Sequence, residues 1–386
     1  MSKVVLIRCE SYRYPEVRAA VEKGVALLNG PSFFAKPGEK ILLKPNWVMA
    51  VPPEKCATTH PMVFKAVAEI FQKTGAHLSY GDSPGFHSPE TAAQKTGCAA
   101  VALELEIPLA DFLKGREIIY PDALQNRKFI IANGALDSDG IISLPKLKTH
   151  GFLKLTGAVK NQMGCIPGLL KGEFHAKLPD PKNFAKMLVD LTSFLKPRLY
   201  IMDGIMAMEG NGPMGGDPRP MNLLLFSTDP VALDATVCRV IQAPPELSYT
   251  ITFGREAGLG TYLESEIELL GDPLPSFSNP HFSVNREPII SFHKRGGLFG
   301  MIQLIMPKPV ITKKQCVKCG ICVKMCPVSP KALDWREENP KPKTHLPPSY
   351  RYERCIRCYC CQEVCPEGAI KIREPFLRRI VMKKTR

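Results

Sequence analysis

The chain has 386 residues, enough for two or three domains and a large core. Its 45% hydrophobic and 23% charged residues are ordinary for a globular protein and exclude a fibrous or intrinsically disordered chain. The formal net charge of +14 sits at one end: from Lys294 onward 21 Lys and Arg stand against 7 Asp and Glu, while the preceding residues carry 30 of each. That asymmetry bears on partners and steering, not on fold.

In chain order, a strand is expected over 3–9 (KVVLIRC) and a helix over 16–28, ending at Gly30. The run KILLK at 40–44 reads as a buried strand. A helix over 61–74 opens with Pro61 and stops at Gly75. A short strand over 77–80 leads into GDSPG, and a helix is expected over 90–105. Further strands are expected over 129–132, 140–144, 198–202 and 222–226, and helices over 183–195, 230–241 and 247–257. Strands alternating with helices predict an α/β domain with a mostly parallel sheet over 1–272. Residues 273–309 read as a linker or arm, 310–375 as a small α+β domain of bacterial ferredoxin type, and 376–386 as a basic tail (FLRRIVMKKTR). The start, MSKVVLIRCESYRYP, lacks an apolar signal core. The apolar run LFGMIQLIM at 298–306 is far too short to cross a bilayer, so no transmembrane helix is expected.

The strongest signal lies in the cysteines. Cys316, Cys319, Cys322 and Cys326, then Cys355, Cys358, Cys361 and Cys365, each follow C-x2-C-x2-C-x3-C and are each followed by proline. Three thiolates at this spacing let one loop wrap a cubane, while the fourth is carried away to complete the other cluster. The spacing thus assigns Cys316, Cys319, Cys322 and Cys365 to one 4Fe-4S cluster and Cys355, Cys358, Cys361 and Cys326 to a second. Zinc favours two C-x2-C pairs rather than two interlocked runs of four. The segment resembles the two-cluster bacterial ferredoxins, with two departures. Cys360 is a ninth, spare cysteine, and a Pro- and Lys-rich stretch separates the runs. A reducing cytoplasm is the expected compartment, since the ligands must stay thiolates.

Open α/β sheets bind ligands beyond the carboxyl ends of their strands. Polar residues fall at these ends repeatedly: Lys44 and Asn46; Asp82 and Ser83; Lys146, Lys148, Thr149 and His150; Asp203 and Glu209; Ser227 and Asp229. With Lys160 and Asn161 they predict a cleft in which Lys44, Asn46, Lys146, Lys148, His150, Lys160 and Asn161 hold a carboxylate or phosphate, and Asp82, Asp203 and Asp229 orient it or hold a cation. The segments LLKPNW, TTHP, GDSPG, PKLKTH with TGAVKNQMG, and STDPVALDA resemble the family known as domain of unknown function 362, often fused to a ferredoxin domain. The likeness covers roughly 1–270. It implies the domain division and the cleft, and carries no reaction with it.

Three weaker patterns stand beside these. Gly210-Asn-Gly212-Pro-Met-Gly215 matches the dinucleotide fingerprint, but prolines follow where a helix should begin. Cys56, His60, His150 and Cys165 offer donors for an additional metal, and Cys165 with His150 or His175 offers a nucleophile pair; buried structural roles are commoner for such scattered residues. No nucleic-acid motif appears. The sequence therefore points to an iron–sulfur redox enzyme or redox maturation factor, passing electrons from an acidic ferredoxin- or flavodoxin-type partner to a small anion. A non-enzymatic electron-transfer subunit docking on a larger redox complex is the alternative.

Overall fold

The structure, a computed structural model, describes residues 1–287, 306–335 and 346–375. Residues 298–305 of the apolar run, residues 336–345 between the cysteine runs and the basic tail lie outside the described residues.

The order across the main sheet is Ile267–Gly271, Ser2–Arg8, Asp217–Ser227, Leu199–Glu209, Gly140–Ser143, Lys40–Lys44 and His77–Tyr80. All of these run parallel except Asp217–Ser227, which is antiparallel to both neighbours. Lys146–His150 extends the sheet alongside Leu199–Glu209. Lys40–Lys44, Pro61–Gln72 and His77–Tyr80 form a strand–helix–strand unit.

Alternate strand residues feed two cores, as the period-2 geometry of a strand demands. Ile41, Leu43, Leu224 and Phe226 face one side, where Val17, Val21, Phe64, Val67 and Phe71 come from helices Tyr14–Ala26 and Pro61–Gln72. Leu223 and Leu225 face the other, against Val231, Leu233 and Val237 of Pro230–Val240. Leu42 packs on that side with Phe184, Leu188 and Leu191 of Pro181–Leu195. Burying both faces explains why these strands are continuous apolar runs.

The structure departs from expectation in places. The helix expected over 90–105 breaks in two, Pro89–Lys95 and Cys98–Glu104, at Gly97, whose φ of 78° ends the first turn run. The strand at 267–271 and the helix Leu170–Lys177 carry no sequence periodicity strong enough to predict them.

The cysteine-rich module closes with two small antiparallel pairs, Lys308–Ile311 with Ile370–Arg373 and Leu333–Asp334 with Ser349–Tyr350. Short helices Ile321–Lys324 and Cys360–Glu363 carry the third cysteine of each run, Cys322 and Cys361. The module is docked on the α/β domain by specific bonds. Gln362 Nε2 donates to Gly212 O at 2.9 Å, and Asn211 Nδ2 donates to Ile370 O at 3.0 Å. Gly215 and Gly368 touch backbone to backbone, where a Cβ on Gly215 would lie 2.4 Å from the Gly368 Cα. Among the described residues no helix is long and apolar enough to cross a membrane.

Candidate functional site

The parallel strands end beneath the cysteine module, and their carboxyl ends build a cavity of about 100 Å³. Lys44, fully buried at the end of its strand, donates to Asp82 Oδ1 at 2.9 Å. Asp82 Oδ2 also accepts from Trp47 N at 2.6 Å, which fixes the carboxylate. Gly164 packs directly on this pair: a Cβ there would stand 1.7 Å from Asp82 Oδ1 and 2.9 Å from Lys44 Nζ. The TGAVKNQMG segment needs its last glycine for that reason.

Lys148 is also buried and donates to Asn46 Oδ1 at 2.7 Å and to Ala57 O. Asn46 Nδ2 donates to Asn161 Oδ1 at 2.8 Å, and Asn161 Nδ2 to Ser143 Oγ at 2.9 Å. Lys171 donates to Ser83 Oγ at 2.6 Å and Ile166 O at 2.9 Å. Lys160 lines the same cavity and makes no hydrogen bond or ion pair among the described residues. Burial, reinforced by Lys160 and Lys146, holds the Lys148 ammonium well below the ordinary lysine range. Burial likewise brings Lys171 down to about 7.

The remaining wall comes from the cysteine module: Cys360, Glu363, Val364 and Met325 all line the cavity. Glu363 Oε1 lies 3.0 Å from His150 Nε2. Burial alone would raise Glu363, but His150, Lys160 and His175 around it outweigh this and hold it below the usual carboxylate range. Burial pushes His150 and His175 down to about 4, so both rings are neutral at pH 7.

Two of the predicted cleft residues belong to a neighbouring cluster. Lys146 Nζ meets Asp203 Oδ2 at 2.7 Å and Tyr12 OH at 2.8 Å, and Tyr12 OH donates to Asp203 Oδ1 at 2.8 Å. Tyr12 stacks on His60 with ring centroids 3.6 Å apart. These groups satisfy one another and do not line the cavity. Asp229 is a correction. Its strand is the antiparallel one, so its end lies at the opposite edge of the sheet, where Asp229 caps Pro230–Val240 through Val231 N and Ala232 N and accepts from Ser2 Oγ and Thr261 N. Lys171, Glu363 and Cys360 line the cavity without being among the residues the sequence assigns to it, and Tyr12 is an unexpected member of the neighbouring cluster. Lys171 and His175 stand four apart on one short helix, which places both on one face, but the helix itself carries no periodicity that would have announced it.

Cys316, Cys319, Cys322 and Cys365 line one recess with Ile311, Val317, Ala369 and Ile370. Burial, with Cys365, Cys319 and Cys316 close by, pushes the Cys322 thiol up to about 12. Cys361 is similarly raised by burial and by Cys358 and Cys355, and Tyr350 OH is 3.3 Å from its sulfur. Cys326 packs in the same apolar group as Cys322, Cys361 and Cys365. Between Cys355 and Cys358, Arg357 is buried with Nε and Nη1 lacking any hydrogen-bond acceptor. Tetrahedral zinc, with Zn–S near 2.3 Å, would draw its sulfurs to roughly 3.8 Å apart. Among the described residues no three Cys, His, Asp or Glu stand close enough for one ion, Cys56, His60, His150 and Cys165 included. Thiols around an apolar recess, beside a guanidinium with two nitrogens unpartnered, fit an iron–sulfur cluster whose sulfurs accept hydrogen bonds. Cys165, raised to about 12 by burial, is no ready nucleophile.

Residues 315–369 match the model of a 4Fe-4S dicluster domain, and residues 41–239 that of Domain of unknown function (DUF362). A thylakoid-associated protein, sll1697, of Synechocystis sp. is 37% identical over 260 residues, covering 67% of this chain and 80% of the relative. Among solved structures, the lactate racemase apoprotein of Thermoanaerobacterium thermosaccharolyticum matches with TM-score 0.38 and 11% identity over 58% of this chain and 54% of that one. A Thermotoga maritima protein matches with TM-score 0.38 and 12% identity over 65% of this chain and 60% of that one. The match thus spans little more than half of each of these two structures, and both are too distant to bear on function. The chain belongs to the DUF362 family, joined at its C-terminal side to a ferredoxin-type iron–sulfur domain.

Proposed function

We propose that the protein is an iron–sulfur oxidoreductase that passes electrons through two 4Fe-4S clusters to a small anion in the lysine-lined cavity. Cys316, Cys319, Cys322 and Cys365 hold one cluster, and Cys355, Cys358, Cys361 and Cys326 the other. One observation carries the reading: the Cys360–Glu363 helix of the second cysteine run is itself a wall of the cavity, with Glu363 Oε1 3.0 Å from His150 Nε2. A docking subunit would have no reason to place this helix over a pocket lined by three lysines, one of them fully buried.

When bound, the clusters supply single electrons at low potential. The chain's own residues do the rest. Lys160, Lys148 and Asn46 bind and orient the anion. The helix wall excludes water, which strengthens each electrostatic contact inside. Lys171 Nζ, brought near 7, is matched to deliver a proton at neutral pH. A reducing cytoplasm keeps the ligands as thiolates.

The test uses anaerobic, reduced, full-length protein holding about eight irons per chain. A small anion that binds the cavity should speed reoxidation of the clusters. Lys160→Ala should lose roughly 10- to 100-fold of that effect with unchanged iron and visible spectrum, the cost of one charge-assisted hydrogen bond. If no small anion changes the reoxidation rate and the protein instead exchanges electrons only within a larger redox complex, the docking-subunit reading replaces this one.

A further inference from the structure

The charges around the cavity do not balance, and the imbalance indicates a class of ligand. Three ammonium groups line it, Lys148, Lys160 and Lys171, and a fourth, Lys44, stands behind its Gly164 wall. Two carboxylates face them, Asp82 and Glu363. Lys44 and Asp82 form a closed pair. Counting Glu363 as a full negative charge still leaves an excess of two cations. Lys148 and Lys171 lean only on neutral acceptors, the side chains of Asn46 and Ser83 and the carbonyls of Ala57 and Ile166. Lys160 leans on none among the described residues. Thr156 Oγ1 and His175 Nδ1, on residues lining the same cavity, are buried without a hydrogen-bond partner.

Uncompensated buried ammonium groups are unfavourable, and such a site relieves itself by shedding protons or by binding charge. We propose that the cavity binds a small dianion, a phosphate-like or dicarboxylate group, held by Lys160, Lys148 and Lys171 with Thr156 as a further donor. The proposal rests on the cavity being the substrate site and narrows what that substrate is. A monoanion leaves one cation uncompensated. The cavity of about 100 Å³ admits only a compact ligand or the charged end of a longer one.

Proton linkage supplies an independent signature. Lys148 faces Lys160, Asp82, Lys146 and Glu363, and Lys171 faces Asp82, Lys44, Cys165 and Lys160. In both, burial has lowered the affinity for a proton. A dianion beside them raises it again, so binding takes up protons at and above neutral pH.

The experiment is anaerobic titration calorimetry of cluster-loaded, full-length protein at pH 7.5, in two buffers of different protonation enthalpy, with sulfate, malonate and acetate as probes. Sulfate or malonate should bind at least roughly 10-fold tighter than acetate, with net proton uptake. Whichever of the two wins separates a tetrahedral ligand from a dicarboxylate. Lys160→Met and Lys171→Met should each erode the preference over acetate. Acetate binding as well as the dianions, or no binding by any of the three, overturns the proposal. Dianion binding with no effect on cluster reoxidation would instead overturn the redox reading and leave this one standing.

Discussion

Glu363 of the cysteine module and His150 of the α/β domain meet with Oε1 3.0 Å from Nε2. His150 Nδ1 accepts from the backbone N–H groups of Phe152 and Leu153, at 3.1 and 3.2 Å, so the ring proton sits on Nε2, close to the carboxylate but not in hydrogen-bond geometry with it. The pair also stands between two spaces. His150 borders a larger cavity of about 470 Å³ beside Cys355, and Glu363 borders the lysine-lined one. One contact therefore couples the seating of the cysteine module to the closure of the site.

The buried histidines set the acid response. His60, His150 and His175 are each lowered by burial from 6.5 to about 4. Between those values the unfolded chain binds protons that the folded chain refuses, so stability falls as pH drops through the window. Each contributes up to about 1.4 kcal/mol per pH unit. Urea midpoints at pH 7 and pH 5 should therefore fall further for the wild type than for His175→Leu. Equal losses would show that His175 does not titrate on unfolding.

Gly164 has no room for a side chain. The Cβ of Gly164→Ala would collide with Asp82 and press on Lys44 Nζ. Overpacking of this kind costs about 1–3 kcal/mol, and here it also pushes apart a buried ion pair. The melting temperature should drop while the visible spectrum of the iron–sulfur module stays unchanged. A variant as stable as the wild type would mean that this loop sits further from the pair.

Much of this arrangement was readable beforehand because buried parallel strands are apolar runs and because the cysteine spacing is so specific. What escaped was direction and register. Nothing in MNLLLFSTD states that its strand runs against its neighbours, yet that orientation alone removes Asp229 from the site. Lys146 and Lys148 are two apart and would share a strand face, but a register shift lies between them. It sends Lys146 to Asp203 and Lys148 to Asn46. Nothing in the second cysteine run marks Glu363 for the cavity, and only docking of the module turns it inward.

Arg357 should tune the second cysteine group. Its guanidinium is buried on the loop between Cys355 and Cys358, with two nitrogens lacking acceptors. Positive charge and N–H···S bonds favour the reduced, more negative cluster and raise its potential. A charge-assisted hydrogen bond worth about 1.5–3 kcal/mol corresponds to roughly 65–130 mV for one electron. Arg357→Gln should lower one of two potentials by that order in an anaerobic redox titration followed by electron paramagnetic resonance, leaving the other in place. Two unmoved potentials, or two that shift together, would remove Arg357 from this role.

Electrons should enter at the first cysteine group. Cys319 is exposed, Val317 is 61% exposed, and Lys313 and Lys314 stand exposed just before Cys316. The second group, by contrast, adjoins the lysine-lined cavity through Cys360 and Glu363. An exposed apolar residue with exposed lysines close by in the chain suits a weak, fast encounter with an acidic ferredoxin- or flavodoxin-type donor. Apolar contact gives the fit, and charge gives the approach. Steering of this kind is screened over about 10 Å at 0.1 M salt. The rate of cluster reduction by an acidic donor should therefore fall steeply as salt rises. Lys313→Glu with Lys314→Glu should flatten that dependence and slow reduction at low salt, with the cluster spectrum unchanged. Deleting 376–386 should flatten it independently if the basic tail shares in docking. Rates that match the wild type across the salt series in the double variant would place the entry point elsewhere on the module.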